Sequence, residues 1–205
     1  MAGLFISFEG IDGVGKSTQI DLLEEYLKGL GKTVLRTMEP GGTEVGIEIR
    51  KILLHHRGAL APRSEAALFA ADRAHHVQSK INPALERGEI VITDRYFDSS
   101  VAYQGAGREL SMEEVRNLSL WAVGGLLPHL TVLLDLPADV ARSRRNNTGV
   151  APDRLESEKI EFFERARQAY LQLATNEPER FLVIDAAESI ESMHNQIRAR
   201  ISGLI

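Results

Sequence analysis

Residues 10–17, Gly10-Ile11-Asp12-Gly13-Val14-Gly15-Lys16-Ser17, fit the pattern G-x-x-x-x-G-K-[ST] at every fixed position. This loop constrains the fold more than any other stretch, because it works only between a buried strand and the N-terminus of a helix. Its flanks meet that demand. Leu4-Phe5-Ile6-Ser7-Phe8 is a short apolar run of strand type, and Ile20, Leu23, Leu27 and Leu30 recur downstream at helical spacing. Backbone N–H groups of the loop and the helix N-terminus then gather around a polyphosphate. Lys16 adds a full charge at the β- and γ-phosphates, and Ser17 supplies the hydroxyl that such loops give to Mg²⁺. Residues Gly10 to Thr18 are therefore the candidate nucleoside triphosphate site.

A chain of 205 residues can bury one sizeable core, and no Pro-, Gly- or Ser-rich linker divides it, so a single domain over 1–205 is expected. Hydrophobic residues at 43% and charged ones at 26% suit a globular protein, and no apolar run reaches bilayer length. With no basic leader before Leu4 and no cysteine, the cytoplasm is the expected compartment. A formal charge of −5 argues against broad nucleic-acid binding, so phosphate recognition must be local.

Thr33-Val34-Leu35 reads as a second strand running towards Glu39-Pro40-Gly41-Gly42-Thr43. That pentad reads as a tight turn, and its place at the C-terminal end of a strand is also a ligand position in α/β sheets. From Val45 to Leu54, the apolar Ile49, Ile52 and Leu53 surround Arg50. A long helix is expected from Arg63 to Arg87, with Ala66, Phe69, Ala70, Arg73 and Val77 on one face. Taken alone, that helix would have Arg73 snorkel to water. The pairs His55-His56 and His75-His76 do not suggest a metal, since adjacent residues on a helix point apart and no cysteine or carboxylate cluster completes a ligand set.

Glu89 to Thr93 is a third strand, ending in Asp94-Arg95-Tyr96. Asp94 stands where phosphate-loop enzymes keep a carboxylate for Mg²⁺ or its water shell. If the next segment is helical, Ser99 with Tyr103 and Ser100 with Gln104 stand at i,i+4 and make a polar row. The helix expected from Ser111 to Leu126 opens as a capping box with Glu114, and its Leu118, Trp121, Ala122 and Gly125 suit a core or a partner face. Leu130 to Leu136 is a fourth strand. Beyond Pro137, residues 139–156 carry Arg142, Arg144, Arg145 and Arg154 around a polar loop that includes Thr148 and Val150. This suits a mobile anion-binding lid; a solvated basic face is the other reading. A helix from Ile160, a fifth strand at Phe181 to Ile184 and a helix from Ile190 to Ile201 follow. The alternation gives an α/β protein: a three-layer α/β/α fold of the P-loop NTPase kind with a mainly parallel five-stranded sheet.

From Leu4 to about Ile201 the chain resembles the bacterial thymidylate kinases. The resemblance lies in Glu9 to Thr18, in Glu39 to Thr43, in Asp94-Arg95-Tyr96 through Ala102-Tyr103-Gln104-Gly105, and in Asp153-Arg154-Leu155-Glu156. It implies transfer of the γ-phosphoryl group of ATP to dTMP with Mg²⁺, giving dTDP and ADP for dTTP synthesis, by a homodimer paired through helices away from the phosphate loop. Carried over by position, it implies that Phe69 stacks on thymine and Arg73 bonds its exocyclic oxygen. Ser100 and Gln104 would meet the base's other polar edge, and Tyr103 would pack beside the deoxyribose, with Ser99 in the same row. Arg50 and Arg95 would grip the monophosphate, and Asp12 or Glu39 would hold the sugar hydroxyl and tune the metal region. Catalysis falls to Lys16, Asp12, Arg95 and a lid arginine, with Arg154 first and Arg142, Arg144 and Arg145 behind it. Two departures stand out. Met38 occupies a position where many relatives have arginine, and Gly13 one where eukaryotic-type enzymes place an arginine, so the transition-state arginine is expected from the lid.

A phosphate-loop switch or binding module would need only one nucleotide site and loops that sense the γ-phosphate. No guanine-reading motif accompanies the loop, and Arg50, Arg95 and the lid arginines would be surplus to it. Within the enzyme class the alternative is a kinase of another monophosphate or of a nucleoside, although a nucleoside has no phosphate for two arginines to hold.

Overall fold

The strands β1 (Leu4–Glu9), β2 (Val34–Met38), β3 (Ile90–Asp94), β4 (Leu130–Asp135) and β5 (Phe181–Asp185) form a sheet in the order β2-β3-β1-β4-β5. Every pairing is parallel, so the sheet is more uniform than the expected mainly parallel one. The computed structural model describes residues 3–56, 58–147, 149 and 151–205; Thr148 and Val150 of the expected lid loop lie outside them. The central strand β1 is buried from Phe5 to Glu9, as a continuous apolar run covered on both faces must be.

The strands are joined by α1 (Lys16–Gly29), α2 (Glu44–His55), α3 (Pro62–His76), α4 (Asn82–Glu86), α5 (Phe97–Ser100), α6 (Met112–Ala122), α7 (Ala138–Asn146) and α8 (Ile160–Asn176), and α9 (Ile190–Ser202) closes the chain. α3 continues into α4 through a π-helical turn at Val77–Ile81, and α5 continues into a second one at Val101–Gly107. The polar row after Arg95 is therefore wound more widely than a regular α-helix, a distortion common beside functional sites. α1 buries Ile20, Leu23 and Leu27, whereas Leu30 is its C-terminal cap and is 49% exposed.

From β1 the chain crosses to β2 on one side, and from β4 it crosses to β5 on the other. The loops leaving β1 and β4 consequently part at the C-terminal ends of their strands and open a crevice there. The phosphate-binding loop occupies one wall of that crevice.

Candidate active site

Gly10, Gly13 and Gly15 adopt φ values of +128°, +91° and +95°, which L side chains avoid. Gly13 is constrained twice, because a Cβ there would lie 2.1 Å from the carbonyl oxygen of Ala141 in α7. The lid helix takes the space in which an arginine at 13 would start. Lys16 Nζ donates to the carbonyls of Gly10 at 3.0 Å and Ile11 at 3.2 Å, holding the loop in its curved form. Burial first, and then the charge of Arg95, lower its pKa. Ser17 and Thr18 open into a groove shared with Lys16, Met38, Asp94, Arg144 and Arg145.

A second cleft of about 640 Å³, counting its open mouth, adjoins this groove. Phe69 and Arg73 come from α3, Ser99 and Ser100 from α5, Tyr103 and Gln104 from the π-helical turn, and Arg50 from α2. The pentad after β2 shapes the near wall by packing on α3. Gly41 N donates to Asp72 Oδ1 at 3.1 Å, and Lys80 Nζ donates to the carbonyl of Gly42 at 2.8 Å. Thr43 caps α2 by accepting from Gly46 N at 2.9 Å. A Cβ at Gly42 would fall 2.5 Å from the ring of His76, so the turn needs glycine there. Arg50 Nη1 donates to the Pro40 carbonyl at 2.7 Å, aligning that arginine along the cleft.

Arg73 does not snorkel. Its side chain is 1% exposed, donating from Nε to Glu39 Oε2 at 2.6 Å and from Nη2 to Ser100 Oγ at 3.1 Å. Its Nη1 has no partner among the described residues, which leaves one donor for a ligand in the cleft that Arg73 lines. Glu39 is fully engaged, since its other oxygen pairs with His76 Nδ1 at 2.9 Å. Both carboxylates proposed for a sugar hydroxyl line the cleft; Glu39 is 1% exposed and committed to Arg73 and His76, whereas Asp12 has 30% of its side chain exposed.

Arg95 joins the two sites. Its backbone is left-handed, with φ +69°, an unusual conformation for a long side chain. Nη2 donates to Asp12 Oδ1 at 2.7 Å and to Tyr103 Oη at 3.2 Å, while Nη1 donates to the Gly10 carbonyl at 3.1 Å. Burial alone would raise the Asp12 pKa, but the charges of Arg95 and Lys16 outweigh it and bring it down to about 2. Behind Arg95 lies a buried carboxylate that the motif reading left without a role. Glu9 accepts from Tyr96 N at 2.8 Å, Ser99 Oγ at 2.6 Å and Tyr170 Oη at 3.0 Å. Ser99 and Tyr170 in turn accept from Arg95 Nη1 at 3.2 and 3.3 Å. Ser99 is therefore spent on holding Arg95. Burial and the nearby Asp98 push Glu9 up to about 7.

The lid arginines point in different directions. Arg142 donates to the carbonyl of Glu158, and Arg144 donates to that of Ala186 at 2.8 Å. Arg145 lines the phosphate-loop groove and forms a fork with Glu156, from Nε at 2.7 Å and Nη2 at 2.6 Å. Arg154, first in rank from the sequence, is turned the other way. It donates to the Leu53 carbonyl at 2.7 Å and to Glu65 Oε2 at 2.6 Å, and it does not line the groove, because α2 and α3 hold its acceptors. Asp153 and Leu155, which flank Arg154, line the second cleft, and Glu156 lines both the cleft and the groove.

A metal has a place in the groove. Asp94 Oδ1 is buried without a hydrogen-bond partner among the described residues and shares that groove with the Ser17 hydroxyl. No group of three or more His, Cys, Asp or Glu forms a closed cage among the described residues. This donor set suits Mg²⁺, which takes one or two protein oxygens and completes its shell with phosphates and water.

The thymidylate kinase family profile matches residues 8–197. A thymidylate kinase of Leifsonia xyli subsp. xyli is 61% identical over 203 residues, covering 99% of this chain and 96% of that protein. One from Bifidobacterium longum subsp. infantis is 56% identical, covering 100% of this chain and 88% of its own. One from Kosmotoga olearia is 48% identical, covering 95% and 93%. Together with the phosphate loop, the adjoining cleft and the Arg95 junction, these matches show that the chain belongs to the thymidylate kinase family.

Proposed function

We propose that this protein transfers the γ-phosphoryl group of ATP to dTMP, giving ADP and dTDP, with the triphosphate on the Lys16 loop and dTMP in the adjoining cleft. The observation that carries this reading is that the groove and the cleft share a common wall of Asp12, Glu39, Arg50, Arg95 and Glu156, in which Arg50 and Arg95 supply the positive charge. A donor phosphate on one side and an acceptor phosphate on the other then meet across that wall, as direct transfer requires. Phe69 stacks on the base, Arg73 Nη1 and Gln104 bond its edge, and Asp12 takes the sugar hydroxyl. Arg50 and Arg95 hold the acceptor phosphate. Lys16 stabilises charge on the migrating group, and of the two lid arginines that line the groove Arg145, paired there with Glu156, is assigned to do the same while Arg144 bonds the Ala186 carbonyl. Mg²⁺, held by Ser17 and the phosphates with Asp94 on its water shell, would neutralise charge on the β- and γ-phosphates. Phosphorus NMR of ATP mixed with dTMP should show ADP and dTDP rising equally; ADP rising with free phosphate would mean hydrolysis instead.

A homodimer is supported by the exposed apolar residues Val45, Ile47 and Ile52 on α2 and by Trp121, 80% exposed, on α6, the two helices that flank α3. Sedimentation at micromolar concentration should show twice the 22.7 kDa chain mass, and a monomer alone would refute it. The cytoplasm is the compartment that fits these substrates. No helix among the described residues is long and apolar enough to cross a membrane.

A further inference from the structure

Glu65, in the first turn of α3, is buried behind the cleft rather than in it. Its Oε1 accepts from Gln104 Nε2 at 2.9 Å and Arg108 Nε at 3.1 Å. Its Oε2 accepts from Arg108 Nη2 at 3.2 Å and Arg154 Nη2 at 2.6 Å. Burial opposes its charge, but the hydrogen bonds from Arg108 and Gln104 outweigh that and hold the carboxyl below its ordinary pKa. An ionised carboxylate can only accept hydrogen bonds. Gln104 must therefore turn its NH₂ towards Glu65, and its carbonyl oxygen, which accepts from no described residue, is left to the cleft. An amide that would otherwise be free to flip has one allowed orientation.

The cleft consequently offers an acceptor on Gln104 and a free donor on Arg73 Nη1. Thymine and uracil present an N–H donor beside a carbonyl acceptor, whereas cytosine presents an acceptor nitrogen beside an amino donor. We infer that Glu65 is a positioning residue that sets base selectivity, by locking the Gln104 amide in the orientation that fits thymine and uracil and opposes cytosine. The inference rests on the reading that the base lies against Phe69, Arg73 and Gln104. Removing the lock reverses one hydrogen bond to the base and leaves the others in place.

Glu65→Gln tests this with little change of volume. The new amide keeps its oxygen for Arg108 Nη2 and Arg154, gives up the bond from Arg108 Nε and turns its NH₂ to Gln104, whose own amide must then flip. Calorimetric dissociation constants should rise in parallel for dTMP and dUMP, by about tenfold. That for dCMP should not rise, and ATP binding should be retained. An unchanged dTMP affinity, or equal loss of all three pyrimidine monophosphates, would overturn the role of Glu65. Gln104→Met separates the two readings: it should also weaken dTMP and dUMP relative to dCMP, and if it does not, the placement of the base is wrong whatever Glu65 does. Should Glu65→Gln fail to bind ATP, the unmodified protein decides. The Gln104 side-chain NH₂ protons, identified by their loss in Gln104→Met, should exchange equally slowly with and without dTMP because they face Glu65. Slowing on dTMP addition would show that they face the base and would overturn the inference.

Discussion

Arg95 Nη2 stands 2.7 Å from Asp12 Oδ1, so the cation that follows β3 is tied directly to the phosphate loop that follows β1. The pairing forms because β1 and β3 are neighbours in parallel register, with Phe8 opposite Asp94. It places one guanidinium at the boundary between donor and acceptor, and it makes the consequences of losing Lys16 and Arg95 separable.

Lys16→Met should lower kcat by roughly 10²–10³-fold while leaving the dTMP dissociation constant nearly unchanged. Arg95→Ala should weaken dTMP binding by about ten- to a hundredfold, since bonds from a cation to phosphate are among the stronger ones. Equilibrium binding of dTMP to each variant, set beside steady-state rates, checks the division. Equal small effects in both would contradict it.

Glu9 should give dTMP recognition a pH dependence. When ionised it only accepts, so the protons of Ser99 and Tyr170, which also bond each other at 2.7 Å, serve Glu9 and that mutual bond, and their lone pairs face Arg95. Its pKa is raised to about 7, and as pH falls through that value the carboxyl takes up a proton and becomes a donor. The negative charge that Glu9 sets near Arg95 is then lost, and the bonds among Glu9, Ser99 and Tyr170 rearrange behind the guanidinium. The KM for dTMP should therefore rise as pH falls from 8 to 6, with the KM for ATP rising less. The proton uptake of dTMP itself is common to all variants, so the comparison is with Glu9→Gln, in which the added slope should be absent. Identical profiles for the two proteins would remove Glu9 from the account.

Arg145 and Arg154 should behave differently although both lie in the lid. Arg145 lines the phosphate-loop groove, and Arg145→Ala should reduce kcat by about 10³-fold, as for arginines that act on a migrating phosphoryl group. Arg154 fastens its segment to Leu53 and Glu65, so Arg154→Ala should act mainly on the KM for dTMP. A large loss of kcat in Arg154→Ala with both KM values kept would restore the ranking that the sequence suggested.

Features set by neighbouring residues were readable from the sequence. The strand, loop and helix around Lys16 depend on local spacing, and Phe69 with Arg73 share a helix face whatever the fold. What escaped depends on long-range partners. Glu9 finds Tyr96, Ser99 and Tyr170 at 87, 90 and 161 residues' distance, and spacing carries no trace of that. The direction of Arg154 is decided by acceptors 89 and 101 residues away. Burial of Arg73 follows from Glu39 arriving from another loop, whereas a helix considered alone would send it to water. Trp121 lies at a spacing equally suited to core and surface, and only the packing of α6 on its Val115 and Ser119 face turns it outwards.

ATP and dTMP are placed to react across the shared wall that carries Arg50 and Arg95. ADP release in a coupled assay with ATP, Mg²⁺ and each of dTMP, dUMP, dCMP, dGMP, dAMP and thymidine in turn tests this arrangement. The highest kcat/KM is expected with dTMP, none with thymidine, which lacks the phosphate that Arg50 and Arg95 hold, and little with the purine monophosphates. Turnover of thymidine, or a purine monophosphate preferred over dTMP, would contradict it.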